Sequence, residues 1–133
     1  MTTFYGFEEA DLQRAEEEID QFLDDVASRL GRIVYTDLAN QLTSINLNMG
    51  WNRDRAVLGQ LLGRIATKDK DRGRGLRTAL VVRGGKTGTF EPNDQFYKWA
   101  SDLGYDVSDR ASFLGEQYRR VYQEHWRSLT RAG

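Results

Sequence analysis

The side chains best suited to chemistry in this 133-residue chain are cationic, and they are gathered in one stretch. Between residues 53 and 87 seven arginines and three lysines stand against three acids, a local balance of +7. The preference for arginine matters, because a guanidinium gives planar, bidentate contact to phosphate where an ammonium gives a point charge. The pattern predicts phosphate or groove contacts at Arg53, Arg55, Arg64, Lys68, Arg72 and Arg74, with Arg83 and Lys86 following and Lys70 and Arg77 in the same run. Gly73 and Gly75 would let the loop from Asp71 to Leu76 bring its backbone close to a polyanion.

Other chemistries find little to work with. There is no cysteine, which excludes disulfides, thiolate metal sites and cysteine nucleophiles together. His125 is the single histidine; it falls on the apolar seam of a predicted helix and reads as a half-buried structural residue. Asp20 and Asp24 are one helical turn apart, but they belong to a row of carboxylates that reads as a solvated acidic face. Gly85-Lys86-Thr87 lacks the glycine five residues earlier that a phosphate loop requires, since that position is Leu80. It reads as a turn with Lys86 at its tip. Trp99 and Trp126 fall on or beside helix seams and suit core packing, whereas Trp51 lies in a polar loop and is a candidate for base or partner contact. No cofactor is implied.

The elements that must position the cations follow from periodicity. Residues 8–30 carry Leu12, Ala15, Ile19, Phe22, Leu23, Val26 and Leu30 at helical spacing, with acids in the first turn and Gly31 suited to a C′ cap. After a β-prone link, Arg32 to Tyr35, Thr36 caps a brief helix to about Leu42. A turn-rich connection, 43–52, leads to a helix from Asp54 to about Lys70 with Val57, Leu58, Leu61, Leu62 and Ile65 on one stripe. Gly59 and Gly63 share a face of it and suit the close approach of another helix. Thr78 to Val82 reads as a strand, Gly84 to Gly88 as a turn and Thr89 to Glu91 as the returning strand. Two further helices follow, from Pro92-Asn93-Asp94 to Leu103 and from Ser108 or Asp109 to about Leu129. The expected fold is mostly α with a small β-hairpin wing. It is a single domain, 1–133, in which a winged helix-turn-helix core over 33–91 has added N- and C-terminal helices, 8–30 and 94–129.

Val34-Tyr35-Thr36-Asp37-Leu38-Ala39, then Arg55-Ala56-Val57-Leu58-Gly59-Gln60-Leu61-Leu62, then the hairpin, resembles the winged-helix module of the alkylguanine-DNA alkyltransferases and their alkyltransferase-like relatives. In that family a Tyr-Gly-(Asp/Glu)-(Leu/Ile)-Ala segment opens the first motif helix, and an Arg-x-Val-Gly-x-Ala segment lies on a recognition helix that enters the minor groove. The resemblance covers residues 33–91. It implies for Tyr35 the role of helping to rotate a nucleotide out, and for Arg55 that of filling the gap. Thr36 stands where the family has glycine, and the cysteine-bearing active-site segment is absent. The resemblance therefore implies DNA binding without alkyl transfer.

Charge is distributed unevenly for a chain of net charge −1. Residues 1–30 hold nine acids and two bases, a balance of −7. Two arrangements are open: the acidic helix turns away from the basic segment, or it lies across it and neutralises it. The first leads to a non-enzymatic DNA-binding protein. The second would silence a DNA surface. The alternative function, favoured by the low overall charge and the added helices, is a protein-interaction module such as a phage or mobile-element adaptor or inhibitor. No apolar run reaches the ~18 residues of a membrane span, and the N-terminus lacks the basic and apolar regions of a signal peptide. A soluble cytoplasmic protein with no membrane partner is expected.

Overall fold

Helix α1, Glu9–Ser28, buries Leu12, Ala15, Ile19, Leu23, Val26 and Ala27 along the stripe the periodicity predicts. In the computed structural model, which describes residues 3–84 and 91–132 (side chains for 4–84 and 91–124), this stripe packs against helix α3, Asn52–Asp71, through Val57, Leu58, Leu61 and Ile65. Between them in sequence come strand β3, Ile33–Val34, and helix α2, Tyr35–Gln41, which adds Leu38 and Ala39 to the same core. A second cluster joins Phe96 and Tyr97 of helix α4, Asp94–Asp102, to Phe113 and Leu114 of helix α5, Arg110–Ala132. The chain is mostly helical, with very short strands.

Helix ends obey local chemistry. Asn93 caps α4 by accepting the Phe96 amide at 3.3 Å, and Asp109 caps α5 by accepting the amide and hydroxyl of Ser112 at 3.1 and 2.9 Å. At the end of α1 the left-handed position belongs to Leu30, φ 53°, and not to Gly31. The Gly31 amide closes the motif on the Val26 carbonyl at 3.0 Å. Leu30, expected on the buried stripe, is 63% exposed as a result.

The segment expected to be the first strand of a wing is different. Arg77–Leu80 forms a buried 3-10 turn wedged among α1, α3 and α5, and only Val81–Val82 is strand, here β4. β4 pairs parallel with β3, Ile33 opposite Val81 and Val34 opposite Val82. All of Arg77 to Val82 is buried, the 3-10 turn and β4 alike. The Arg83 amide donates to the Glu91 carbonyl at 2.9 Å, while the expected tip and return, Gly85 to Phe90, lie outside the described residues. A tight hairpin does occur at the N-terminus, unanticipated by the sequence pattern. Strands β1, Thr3–Phe4, and β2, Phe7–Glu8, pair antiparallel around Tyr5 and Gly6, both at positive φ as a two-residue turn of this hand requires.

Arg77 is the charge at the centre of the fold, 5% exposed. Its five N–H donors all find acceptors. Nε and Nη2 reach Asp69 at 3.1 and 3.0 Å, Nη1 reaches Asp24 at 2.9 Å and the Asp20 carbonyl at 3.1 Å, and Nη2 reaches the Asp20 carboxylate at 2.5 Å. Burial opposes the charge, but the Asp69, Asp20 and Asp24 carboxylates hold its pKa above the ordinary arginine value. Arg77 is therefore a structural clamp across α1 and α3 and leaves the set of candidate phosphate contacts. Asp20 and Asp24, expected on a solvated acidic face, are both engaged by it.

Candidate nucleic-acid interface and its cleft

Helix α3 carries its cations on two opposed sides. Arg55 and Arg64 are nine residues apart, about two and a half turns, so their side chains leave the helix in opposite directions. Arg64 and Lys68, one turn apart, face α1. Arg64 makes a two-pronged contact with Glu9 at 2.8 and 3.2 Å and lies 3.7 Å from Glu16, which also pairs with Lys68. The acidic helix thus lies across this side of the basic helix, drawn there by the apolar stripes of both. Arg64 and Lys68 do not belong to an open positive face.

Arg72 and Arg74 are exposed but sit beyond the C-terminal end of α3, about 25 Å from Arg55 by helical rise. Gly73 is the left-handed C′ residue that ends the helix, φ 68°. Gly75 is pressed against α5: a Cβ there would meet the Arg120 Cβ and the Val121 nitrogen at 2.9 Å. Its amide is already taken by the Glu124 carboxylate at 3.0 Å. The loop offers its backbone to the protein itself rather than to a polyanion.

The remaining predicted residues converge on the other side of α3. A cleft of about 970 Å³ lies between α2, α3 and α4 and is lined by Tyr35, Arg55 and Arg83 among others. Its floor on α3 is built from small residues, Ala56, Gly59 and Ala66, beside Leu58 and Leu62; its wall on α4 is Phe96 and Trp99. Arg55 and Arg83 are the only charged side chains among the described lining residues. Arg55 hydrogen-bonds the neutral Asn52 amide oxygen, so its charge is not offset. At the nearby tip of α3, Trp51 is 56% exposed with the Arg53 guanidinium 5.3 Å from its ring centre, and Arg53 Nε contacts Asp54 at 3.1 Å.

Tyr35 is a wall residue and not a protruding one. Its hydroxyl accepts the Asn93 amide at 3.3 Å, which ties α2 to the start of α4. Burial pushes its pKa up to about 12, so the phenol stays protonated at neutral pH. Two wall groups have no hydrogen-bond partner among the described residues, the Thr78 hydroxyl and the Trp99 indole N–H, both buried. Lys86 and the rest of Gly85–Thr87 lie outside the described residues, as do the side chains of His125 and Trp126.

Sequence reasoning missed Thr78 and the cleft itself. The available signal was on α3, where Ala56, Gly59, Gly63 and Ala66 keep helical spacing on the side away from the leucine stripe. Gly63 explains the position of α4: a Cβ there would stand 2.6 Å from the Trp99 ring. Comparison of the chain with protein-family models, curated proteins and solved structures finds no match.

Proposed function

We propose that this protein binds nucleic acid without transforming it, using the cleft side of α3. The acidic helix lies across Arg64 and Lys68 on the opposite side and silences them, but contributes no residue to the cleft lining. The observation that carries the reading is the electrostatics of that side. Arg55 and Arg83 line a cleft with no carboxylate among its described lining residues, and Arg53 stacks on the exposed Trp51 at the adjoining tip. Arginine beside an exposed indole suits a strand whose phosphates are held while a base stacks. In this reading α2 and α3 are the two helices of a helix-turn-helix. The surface is smaller than the run of cations implied: three arginines, of which Arg53 is ion-paired with Asp54, rather than eight cations. The likeness to alkyltransferase-like modules then points to Arg55 at the nucleic acid, with Tyr35 holding the cleft wall behind it.

Anisotropy titration of a labelled single strand and its duplex at two salt concentrations tests this. Three phosphate contacts predict a slope of log affinity against log salt near −2 for the single strand and about −2.7 for the duplex. Replacing Arg55 or Arg83 by Gln should reduce the slope by about one contact each. Absence of binding at low salt, or binding that ignores salt, rejects the proposal. The exposure of Tyr5 and Trp51, 52% and 56%, beside the cleft favours a protein partner as the second reading. A stoichiometric partner lost on Trp51→Ala, with no nucleic acid bound, would decide for it.

A further inference from the structure

The cleft has an interior as well as a rim, and the interior has its own chemistry. Its volume, about 970 Å³, falls at the upper end of the range for small-molecule sites, far beyond what a few ordered waters need. Its walls mix aromatic and aliphatic side chains, Tyr5 on the N-terminal hairpin and Phe96 and Trp99 on α4 among them, with the neutral polar Gln60, Asn93 and Gln95. Within those walls the only formal charges among the described residues are Arg55 and Arg83. Neither guanidinium makes an ion pair with a described carboxylate. The Thr78 hydroxyl, on a residue 4% exposed, and the Trp99 indole N–H are left without partners in the same walls. Ordered water or a polar ligand group would satisfy them; the Tyr118 hydroxyl, away from the cleft, is likewise without a partner among the described residues.

We propose that the cleft is a binding site for a small anion built on an aromatic ring, its carboxylate or phosphate held by Arg55 and Arg83 and its ring packed between the aromatic walls. A guanidinium offers two parallel donors that match either oxyanion. An aromatic ring matches the aromatic and aliphatic part of the lining, and a polar ring substituent meets Thr78, Trp99 or the Gln and Asn side chains. A cationic ligand is disfavoured by two arginines with no compensating acid, and a purely apolar one leaves both charges unused. This inference shares Arg55 and Arg83 with the nucleic-acid reading; Arg53, which only that reading uses, does not line the cleft and so tells the two apart.

Calorimetric titration with indole-3-acetate and with guanosine 5′-monophosphate separates the carboxylate and phosphate sources. Indole, guanosine and inorganic phosphate report the ring and the charge alone. At least one ring-bearing anion should bind once per chain at submillimolar concentration and change the tryptophan emission. Either arm alone supports the proposal and names the oxyanion. Arg55→Gln and Arg83→Gln should each weaken that binding by about tenfold, while Arg53→Gln leaves it unchanged. Thermal melts of the two cleft variants should match the parent, since both side chains are exposed. No binding of either anion at millimolar concentration would overturn the proposal. So would equal binding of the neutral rings, or binding unaffected in both arginine variants. Loss of nucleic-acid binding in Arg53→Gln with anion binding intact would separate the two sites.

Discussion

Arg77 shows how far the meaning of one residue depends on its surroundings. In the sequence it is one arginine in a basic run; in the fold it satisfies three carboxylates, of which Asp69 is fully buried. Removing it strands Asp69 as an unpaired interior charge. Arg77→Ala should lower the unfolding free energy by about 3–5 kcal/mol in urea titration. Arg77→Lys should fail to restore it, because one ammonium cannot span Asp20, Asp24 and Asp69. The glycines of α3 make a sharper pair. Gly63 has the Trp99 ring where a methyl would go, so Gly63→Ala should cost about 1–3 kcal/mol. Gly59 has only Gln95 at 3.9 Å, and Gly59→Ala should stabilise by up to about 1 kcal/mol through helix propensity. Equal effects at the two positions would contradict the packing described.

At the scale of elements, the connection between α2 and α3 is held at both ends by carboxylates. Glu18 of α1 accepts the amides of Thr43 and Ser44 at 3.1 and 3.3 Å and the Thr43 hydroxyl. Asp54 accepts the Asn48 amide at 2.7 Å. Burial pushes the Glu18 carboxyl up, yet the Thr43 and Ser44 donors outweigh it and leave its pKa below the usual value. The Asn48 amide, and after it Arg53, hold Asp54 below its usual value despite burial. A folded pKa below the unfolded one gives stability that is complete above the unfolded carboxylate range and is lost as pH falls through the folded value. The melting temperature should therefore drop on acidification below about pH 5. Glu18→Gln and Asp54→Asn should melt lower than the parent at pH 7 and show a shallower acid decline. A decline as steep as the parent's in both variants would place the acid sensitivity elsewhere.

For the whole molecule, the opposition of the two sides of α3 decides what each cation can do. Arg64 and Lys68 pair with Glu9 and Glu16 and face away from the cleft, so their charge is spent inside the chain. Arg64→Gln with Lys68→Gln should leave nucleic-acid affinity within about twofold of the parent, since a cation that touches no phosphate contributes nothing to counterion release. The same double variant should melt earlier, because Glu16, only 8% exposed, loses its partners. A large loss of affinity would show that the α1 side is the contact surface after all.

What the sequence determined by itself was local. Stripes at helical spacing gave the five helices to within about three residues at each end, and Asn93 and Asp109 announced two of their starts, because periodicity and capping depend on neighbours within a turn or two. The expected Thr36 cap failed, since α2 begins at Tyr35 after Val34. The same geometry already separated Arg55 from Arg64 by half a turn, a fact legible in the numbering. The buried Arg77 had a faint signal too, an arginine set among Leu76, Ala79, Leu80, Val81 and Val82. Only the tertiary structure chose between the two arrangements of the acidic helix. That choice rests on contacts some fifty residues apart, Glu9 with Arg64 and Asp24 with Arg77. It also made the cleft, which exists because Gly63 lets Trp99 stand against α3 and because Tyr35 ties α2 to α4. Chain-local rules cannot specify such pairings: each stripe and each charge has several partners of equal chemistry, and packing selects one.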